Sequence, residues 1–162
     1  MRGPRHKQKK TGFEIVEKCE VFDSMSEDNI VRKIAVIFVT DVVGFSKLME
    51  KNEEQTLRSF RACKEILDNL FDEHGGRIFN TAGDSVLAEF QSAVSAVICA
   101  SEFQKLIKQR NAALDDEDAQ MRFRVGINMG DVIVEDQNLY GDGVNVAARL
   151  EALAQPDSVC LS

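Results

Sequence analysis

Between Ile34 and Phe45 the chain reads I-A-V-I-F-V-T-D-V-V-G-F, and this stretch limits the available folds more than any other. The apolar run Ile34 to Val39 is too short to cross a membrane and rich in β-branched residues. That pattern suits a central buried strand. The run ends in Thr40-Asp41, and Gly44 then opens a helical segment. Asp41 has two readings at such a place. It caps the following helix, a common job for Asp, or it holds a cation against a phosphate at the carboxyl end of the strand.

The 162 residues are enough for one domain with a real core. A formal net charge of −7 argues against wrapping nucleic acid, which needs a basic face. The same charge repels a nucleoside triphosphate unless divalent cations screen it. Cys19, Cys63, Cys99 and Cys160 are widely spaced with no C-x-x-C pair, and Cys63 and Cys99 fall on the apolar sides of predicted helices. They read as reduced, mostly buried thiols of a cytosolic protein. His6 and His74 are too few and too isolated for a zinc site. No apolar stretch of about 18 residues is present, and no apolar segment follows the basic amino terminus as a signal peptide requires. The expected location is the cytoplasm, or the cytoplasmic side of a membrane if the parent protein is anchored.

Residues 1–29 read as an extension with a basic cluster (Arg2, Arg5, Lys7, Lys9, Lys10), and 30–162 as the folded domain. Helices are predicted over Phe45 to Lys51, Glu53 to His74 and Ser92 to Arg110. The second carries Leu57, Phe60, Cys63, Leu67, Leu70 and Phe71 at helical spacing, and the third offers Ala93, Val94, Val97, Ile98, Phe103 and Leu106 to a core. Arg77 to Phe90 alternates and breaks at Gly83-Asp84, which makes a hairpin. Asn111 to Gln120, with Asp115, Asp116, Glu117 and Asp118, reads as a solvated acidic loop. Arg122 to Met129 alternates, and Gly130-Asp131 is expected to turn it into Val132 to Val134 as a second hairpin. Tyr140-Gly141-Asp142-Gly143 leads into a helix, Val144 to Ala154, and a last strand starts at Ser158. The order gives an α+β fold: a ferredoxin-like βαββαβ core with an extra hairpin and a C-terminal helix. One sheet face of such a core carries helices. The other is apolar here, so a second copy of the chain is expected to cover it.

In this arrangement the first strand sits beside the hairpin, and Asp41 and Asp84 can meet at one end of the sheet. Two converging carboxylates suit Mg²⁺ or Mn²⁺ and not zinc. The amides of Val42, Val43, Gly44 and Phe45, at a helix start, could cradle phosphates. The plainer alternative is that Asp41 caps and Asp84 turns. Asn145 and Arg149 share a helix face, with Val146, Leu150 and Leu153 on the packing side. An amide one turn from a guanidinium can orient a sugar and neutralise a phosphate, or it is an ordinary polar outer face.

Val39 to Ser46 (V-T-D-V-V-G-F-S), Thr81 to Ser85 (T-A-G-D-S), Phe123 to Gly130 (F-R-V-G-I-N-M-G) and Tyr140 to Leu150 (Y-G-D-G-V-N-V-A-A-R-L) resemble the class III adenylate/guanylate cyclase catalytic domain, in order and in spacing, from about Val31 to Ser162. The resemblance implies that Asp41 and Asp84 hold two metal ions, Mg²⁺ or Mn²⁺, in each active site. It implies that Asn145 and Arg149 match the ribose-orienting asparagine and transition-state arginine contributed by the opposite subunit of a head-to-tail homodimer. The implied reaction is attack of the ribose 3′-hydroxyl on the α-phosphate, giving a 3′,5′-cyclic nucleotide and pyrophosphate. At the two purine-contact positions stand Asn80, where adenylate cyclases often have lysine, and Asn138, where Asp or Thr is common; Asp136 is an alternative contact. Guanylate cyclases tend to have Glu and Cys there. An amide presents donor and acceptor together and so complements adenine or guanine. The reading adopted is ATP, with a guanylate cyclase or a non-catalytic nucleotide-binding or dimerisation homologue as alternatives. A diguanylate cyclase would need a G-G-D-E-F signature, and Ala82-Gly83-Asp84-Ser85 stands at the hairpin turn instead. Family domains continue beyond the position of Ser162 with a triphosphate-contacting lysine, so truncation at the C-terminus and regulatory domains outside this chain are expected.

Overall fold

The computed structural model describes residues 30–162, and the readings of residues 1–29, including Cys19 and His6, lie outside the described residues. The apolar run becomes strand β1 (Val31–Val42), followed by α1 (Phe45–Lys51), α2 (Glu53–His74) and the hairpin β2 (Arg77–Ala82) and β3 (Ser85–Phe90). Then come α3 (Ala93–Ala112), a 3₁₀ turn at Glu117–Ala119, β4 (Phe123–Glu135), β5 (Asn138–Tyr140), α4 (Asp142–Leu153) and β6 (Ser158–Leu161). The sheet order is β2-β3-β1-β4-β5, with β6 parallel to β4 and the other neighbours antiparallel. The first four strands with α2 and α3 form the anticipated ferredoxin-like core. Among the described residues no helix is long and apolar enough to cross a membrane.

Strand β1 lies at the centre and pairs with β4 along its whole length, from Val31↔Val134 to Val42↔Phe123. Its even-numbered residues Val36, Phe38 and Val42 face α2 and α3 in one core with Cys63, Leu67, Phe71, Cys99 and Phe103. Phe38 meets the edge of Phe71 at a centroid separation of 5.2 Å, a favoured aromatic geometry. The odd-numbered residues Ala35, Ile37 and Val39 face the other way, into a second cluster with Val132, Leu139 and Ala147. Burial on both faces is why the run shows no polar alternation.

The second cluster corrects the expectation of a sheet face covered only by another copy. Ala147 belongs to α4, which packs across β4 and β1. The face of α4 that packs is also different from the expected one. Gly143, Ala147 and Glu151 are buried, Val146 and Leu150 are half-buried, and Leu153 is exposed. A Cβ at Gly126 of β4 would stand 2.3 Å from the Ala147 carbonyl oxygen and 2.3 Å from the Glu151 nitrogen. Small residues line the contact because the helix backbone touches the strand backbone.

The same close approach explains the hairpin that does not form at Gly130-Asp131. β4 runs straight through both residues, and the turn comes later, at Asp136-Gln137, where Asp136 has φ 54°. Gly130 lies against the backbone of Gly143. It admits α4 rather than bending the chain. In α3 the helical spacing holds but its phase differs. Ala96, Cys99, Ala100, Phe103 and Ile107 face the core, while Ala93, Val94, Val97, Ile98 and Leu106 are exposed. The acidic loop, too, is anchored: Asp118 pairs with Lys51, and Asp116 accepts hydrogen bonds from the Gln55 side chain and the Asp118 amide.

Candidate active site

The β1–β4 register sets Asp41 opposite Arg124, with both on the α4 side of the sheet. Arg124 grips Asp41 with two hydrogen bonds: Nε donates to Oδ1 at 3.1 Å and Nη2 donates to Oδ2 at 2.7 Å. Such fork-to-fork pairs are the strong and geometrically specific ones. From α4, Glu151 brings Oε1 within 3.0 Å of the same Arg124 Nε. That nitrogen carries one hydrogen, and it is aimed at Asp41. Glu151 Oε1 is therefore buried without a hydrogen bond.

Asp84 reaches the same place from the β2–β3 turn, which Gly83 makes possible at φ 60°. Its Oδ2 accepts from the Val42 amide at 2.9 Å, which ties the hairpin to the end of β1 directly beside Asp41. The hydrogen bond with Asp41 raises the Arg124 pKa above its usual value, and the charges of Asp41, Glu151 and Asp84 add to this. Burial raises the Glu151 carboxyl to about 8, reinforced by the neighbouring Asp41 carboxylate and the Asp84 charge, against the opposing charge of Arg124. Three acidic side chains thus gather near one guanidinium. A group of hard oxygen donors with excess negative charge fits a divalent cation of the Mg²⁺ or Mn²⁺ type, with Asp41 and Asp84 as the residues that could hold it.

The structure therefore brings Asp41 and Asp84 together, as the sequence suggests. It adds Arg124 and Glu151, which sequence reasoning misses. A signal exists in β4: Phe123, Val125 and Ile127 alternate with Arg124, Gly126 and Asn128, a polar and small face that implies something other than solvent opposite it. Of the four amides assigned to phosphate, Val42 is committed to Asp84 and Val43 to the carbonyl of Arg122, at 2.8 Å. Gly44, at φ 68°, and Phe45 remain at the start of α1.

Asn145 and Arg149 are exposed. They lie two positions from the buried Gly143 and Ala147, so they point away from the sheet that holds Asp41, roughly half a turn round the helix. Asn80 is exposed on β2 beside a register shift, and Asn138 on β5 donates to the Tyr140 hydroxyl at 3.1 Å. The two outer edges approach one another: Arg77 of β2 donates to the Gln137 carbonyl at 2.8 Å. His74 is less isolated than expected. It pairs with Glu102 at 2.7 Å, and ligand atoms of Glu73, His74 and Glu102 lie within 4.8 Å of each other at the α2–α3 contact, on the helix side of the sheet.

The profile of the Adenylate and Guanylate cyclase catalytic domain family matches residues 27–162. The chain belongs to that family. A Rhizobium meliloti protein named as an adenylate cyclase is 48% identical over 139 residues, covering 85% of this chain and 24% of that protein. A Streptomyces coelicolor adenylate cyclase is 32% identical over 134 residues, covering 82% of this chain and 33% of that protein. This cyclase domain thus spans about a quarter to a third of those relatives. Among solved structures, an adenylate/guanylate cyclase/hydrolase from Silicibacter pomeroyi superposes with a TM-score of 0.76 at 39% identity, covering 83% of this chain and 78% of that one. The cyclase fold of the domain is therefore shown, and cyclase domains of this family generally depend on metal.

Proposed function

We propose that this domain is a purine nucleotide cyclase that converts ATP to 3′,5′-cyclic AMP and pyrophosphate at sites formed between two copies of the chain. The observation that carries the reading is the split of the machinery. Asp41 and Asp84 sit at the end of β1 against the α4 side of the sheet, while Asn145 and Arg149 project outward from α4. One copy holds the two halves facing different ways, so a second copy supplies the missing half.

In this reading the ribose 3′-oxygen forms a bond to the α-phosphorus, and the bond from that phosphorus to the pyrophosphate oxygen breaks. Asp41 and Asp84 would hold two divalent cations, whose charge would ease release of the 3′-hydroxyl proton to water and offset charge on the α-phosphate. Arg149 of the second copy places a fixed positive charge beside that phosphate. Asn145 holds the ribose so that the 3′-oxygen lies in line with the leaving group. Gly44 and Phe45 offer amides to the phosphates, and Asn80 and Asn138 read the purine edge. The assignment of ATP is supported by the relatives named as adenylate cyclases. A cytoplasmic location, where nucleoside triphosphates are found, fits this reading.

The test is incubation of the purified domain with Mn²⁺ and either ATP or GTP, scored for cyclic product. Cyclic AMP formation supports the reading, and cyclic GMP alone reassigns the substrate. No product from either nucleotide, with nucleotide binding still sensitive to Asp41→Ala, makes the domain a binding module.

A further inference from the structure

We propose that Arg124 is a latch on Asp41 that a divalent cation releases onto Glu151, so that filling the metal half-site shifts α4, the helix carrying Asn145 and Arg149. The inference rests on the reading of Asp41 as a cation ligand and concerns what must happen when that ligand is taken. Both carboxylate oxygens of Asp41 are engaged by the guanidinium, at 3.1 and 2.7 Å. A doubly charged cation cannot share an oxygen closely with a positively charged donor at those distances without strong repulsion. Each Asp41 oxygen keeps a second lone pair for the cation, and the repulsion then weakens the hold of Arg124 on the oxygen that the cation takes.

Its room to move is narrow. The Arg124 backbone is fixed in the ladder between Asp41 and Ser158, and its carbonyl accepts from Thr40 Oγ1 at 2.8 Å. Among the described residues, its second ion-pair partner is Glu151 Oε1, 3.0 Å from Nε, buried and without a hydrogen bond. A buried unsatisfied acceptor is costly. Turning the Nε hydrogen from Asp41 to Glu151 satisfies it without bringing in a new group. The structure thus has one donor between two acceptors, and only one of them can be served.

Glu151 transmits the change because of where it sits. Its own backbone nitrogen and Cα lie against Gly126, with no room for even a Cβ between helix and strand. Glu151 Oε1 already lies 3.0 Å from Arg124 Nε, so the exchange is a turn of the guanidinium, and whatever displacement that turn imposes on Glu151 passes to the α4 backbone because no slack remains on the sheet side. The helix backbone shifts or changes its protection, and Arg149 is two residues away. By linkage, cation occupancy and α4 position influence each other equally. In a dimer that shares its sites, each cation half-site would thereby adjust the Asn145–Arg149 half it offers to the neighbouring site.

The experiment follows amide exchange of α4 (Asp142–Leu153) and Mn²⁺ affinity, read by electron paramagnetic resonance of the free ion, without nucleotide. In the wild type, Mn²⁺ should change α4 exchange several-fold. Arg124→Ala removes the competitor, so Mn²⁺ should bind roughly five- to tenfold tighter, the scale of a modest site-to-site coupling, and α4 should no longer respond. Glu151→Gln, which weakens the alternative partner, should bind Mn²⁺ more weakly and show a blunted response. Arg124→Lys keeps the charge without the fork, serves if Arg124→Ala does not fold, and should fall between Arg124→Ala and the wild type. An α4 that ignores Mn²⁺ in the wild type, or responds equally in the Arg124 variants, overturns the latch. So does weaker Mn²⁺ binding in those variants. If Asp41→Asn binds Mn²⁺ as the wild type does, the cation reading of Asp41 itself fails, which is a different result from binding without coupling.

Discussion

Glu89 is a carboxylate that β3 carries almost wholly out of water, its side chain 7% exposed, between Arg77 at 2.7 Å and Lys33 at 2.8 Å. Burial pushes its pKa up, yet the hydrogen bonds and charges of Arg77 and Lys33 outweigh that and hold it below its usual value. A carboxyl with a lowered folded pKa contributes stability above the unfolded value and loses it as pH falls through the folded one. Acid unfolding of the wild type should therefore include a component below about pH 4.5 that Glu89→Gln lacks, measured by circular dichroism against pH. At neutral pH the same substitution should cost about 2 kcal/mol in urea denaturation, since both cations can still reach water. The thiols behave in the opposite sense. Burial raises Cys63, and burial with the nearby charges of Glu102 and Glu73 raises Cys99 to about 12. Of the three described cysteines, a thiol reagent should label Cys160 in the native protein, and Cys63 and Cys99 only as it unfolds. The burial of Cys63 and Cys99 is legible from their place among apolar residues at helical spacing. The Arg124–Asp41 pair is not, because it depends on register between residues far apart in the chain, and nothing local to either encodes that register.

At the level of elements, α4 on β4 is the contact that decides whether a site exists. Gly126→Ala would drive a methyl group into the backbone of Ala147 and Glu151, which no side-chain rotation can relieve. The expected cost is about 3 kcal/mol or more, the upper end for overpacking, with α4 lifted from the sheet. A fall in the urea midpoint together with faster amide exchange in α4 would verify it, and near-wild-type stability would mean that the helix has more play than the structure shows. The order of elements along the chain and the β2–β3 hairpin are legible in the sequence because alternation and a Gly-Asp turn are local signals. At Gly130-Asp131 the same local signal points to a turn where β4 runs straight on. Glycine next to aspartate marks a turn in one context and a helix seat in another, and only the partner element tells them apart. Likewise, α3 has apolar residues all round, so its spacing predicts a helix but cannot say which side is inward; Ala96 and Ala100 win because they let the helix approach.

For the whole molecule, the proposed function makes a specific demand on assembly, because the carboxylate set faces inward and the Asn145–Arg149 pair outward. Asp41→Ala and Arg149→Ala should each abolish cyclisation as homodimers. Mixed equally, the two should recover roughly a quarter of wild-type activity, since half the dimers would be mixed and each would hold one intact site of two. No recovery, with mixed dimers shown to form, would count against sites shared between copies. The family was within reach of the sequence because its motifs are contiguous stretches. The way the halves point was not, since it depends on which side of α4 meets the sheet. One further feature bears on how the protein behaves in a tube. Along the outside of α3, Val94, Val97 and Ile98 stay uncovered, and Leu161 of β6 is also exposed. With that much oily surface facing water, the formal charge of −7 is what keeps separate molecules apart. Near the isoelectric point, about pH 4.9, that mutual repulsion vanishes. Colloidal stability, rather than folding, then sets the conditions in which the domain can be concentrated: above neutral pH and at low salt.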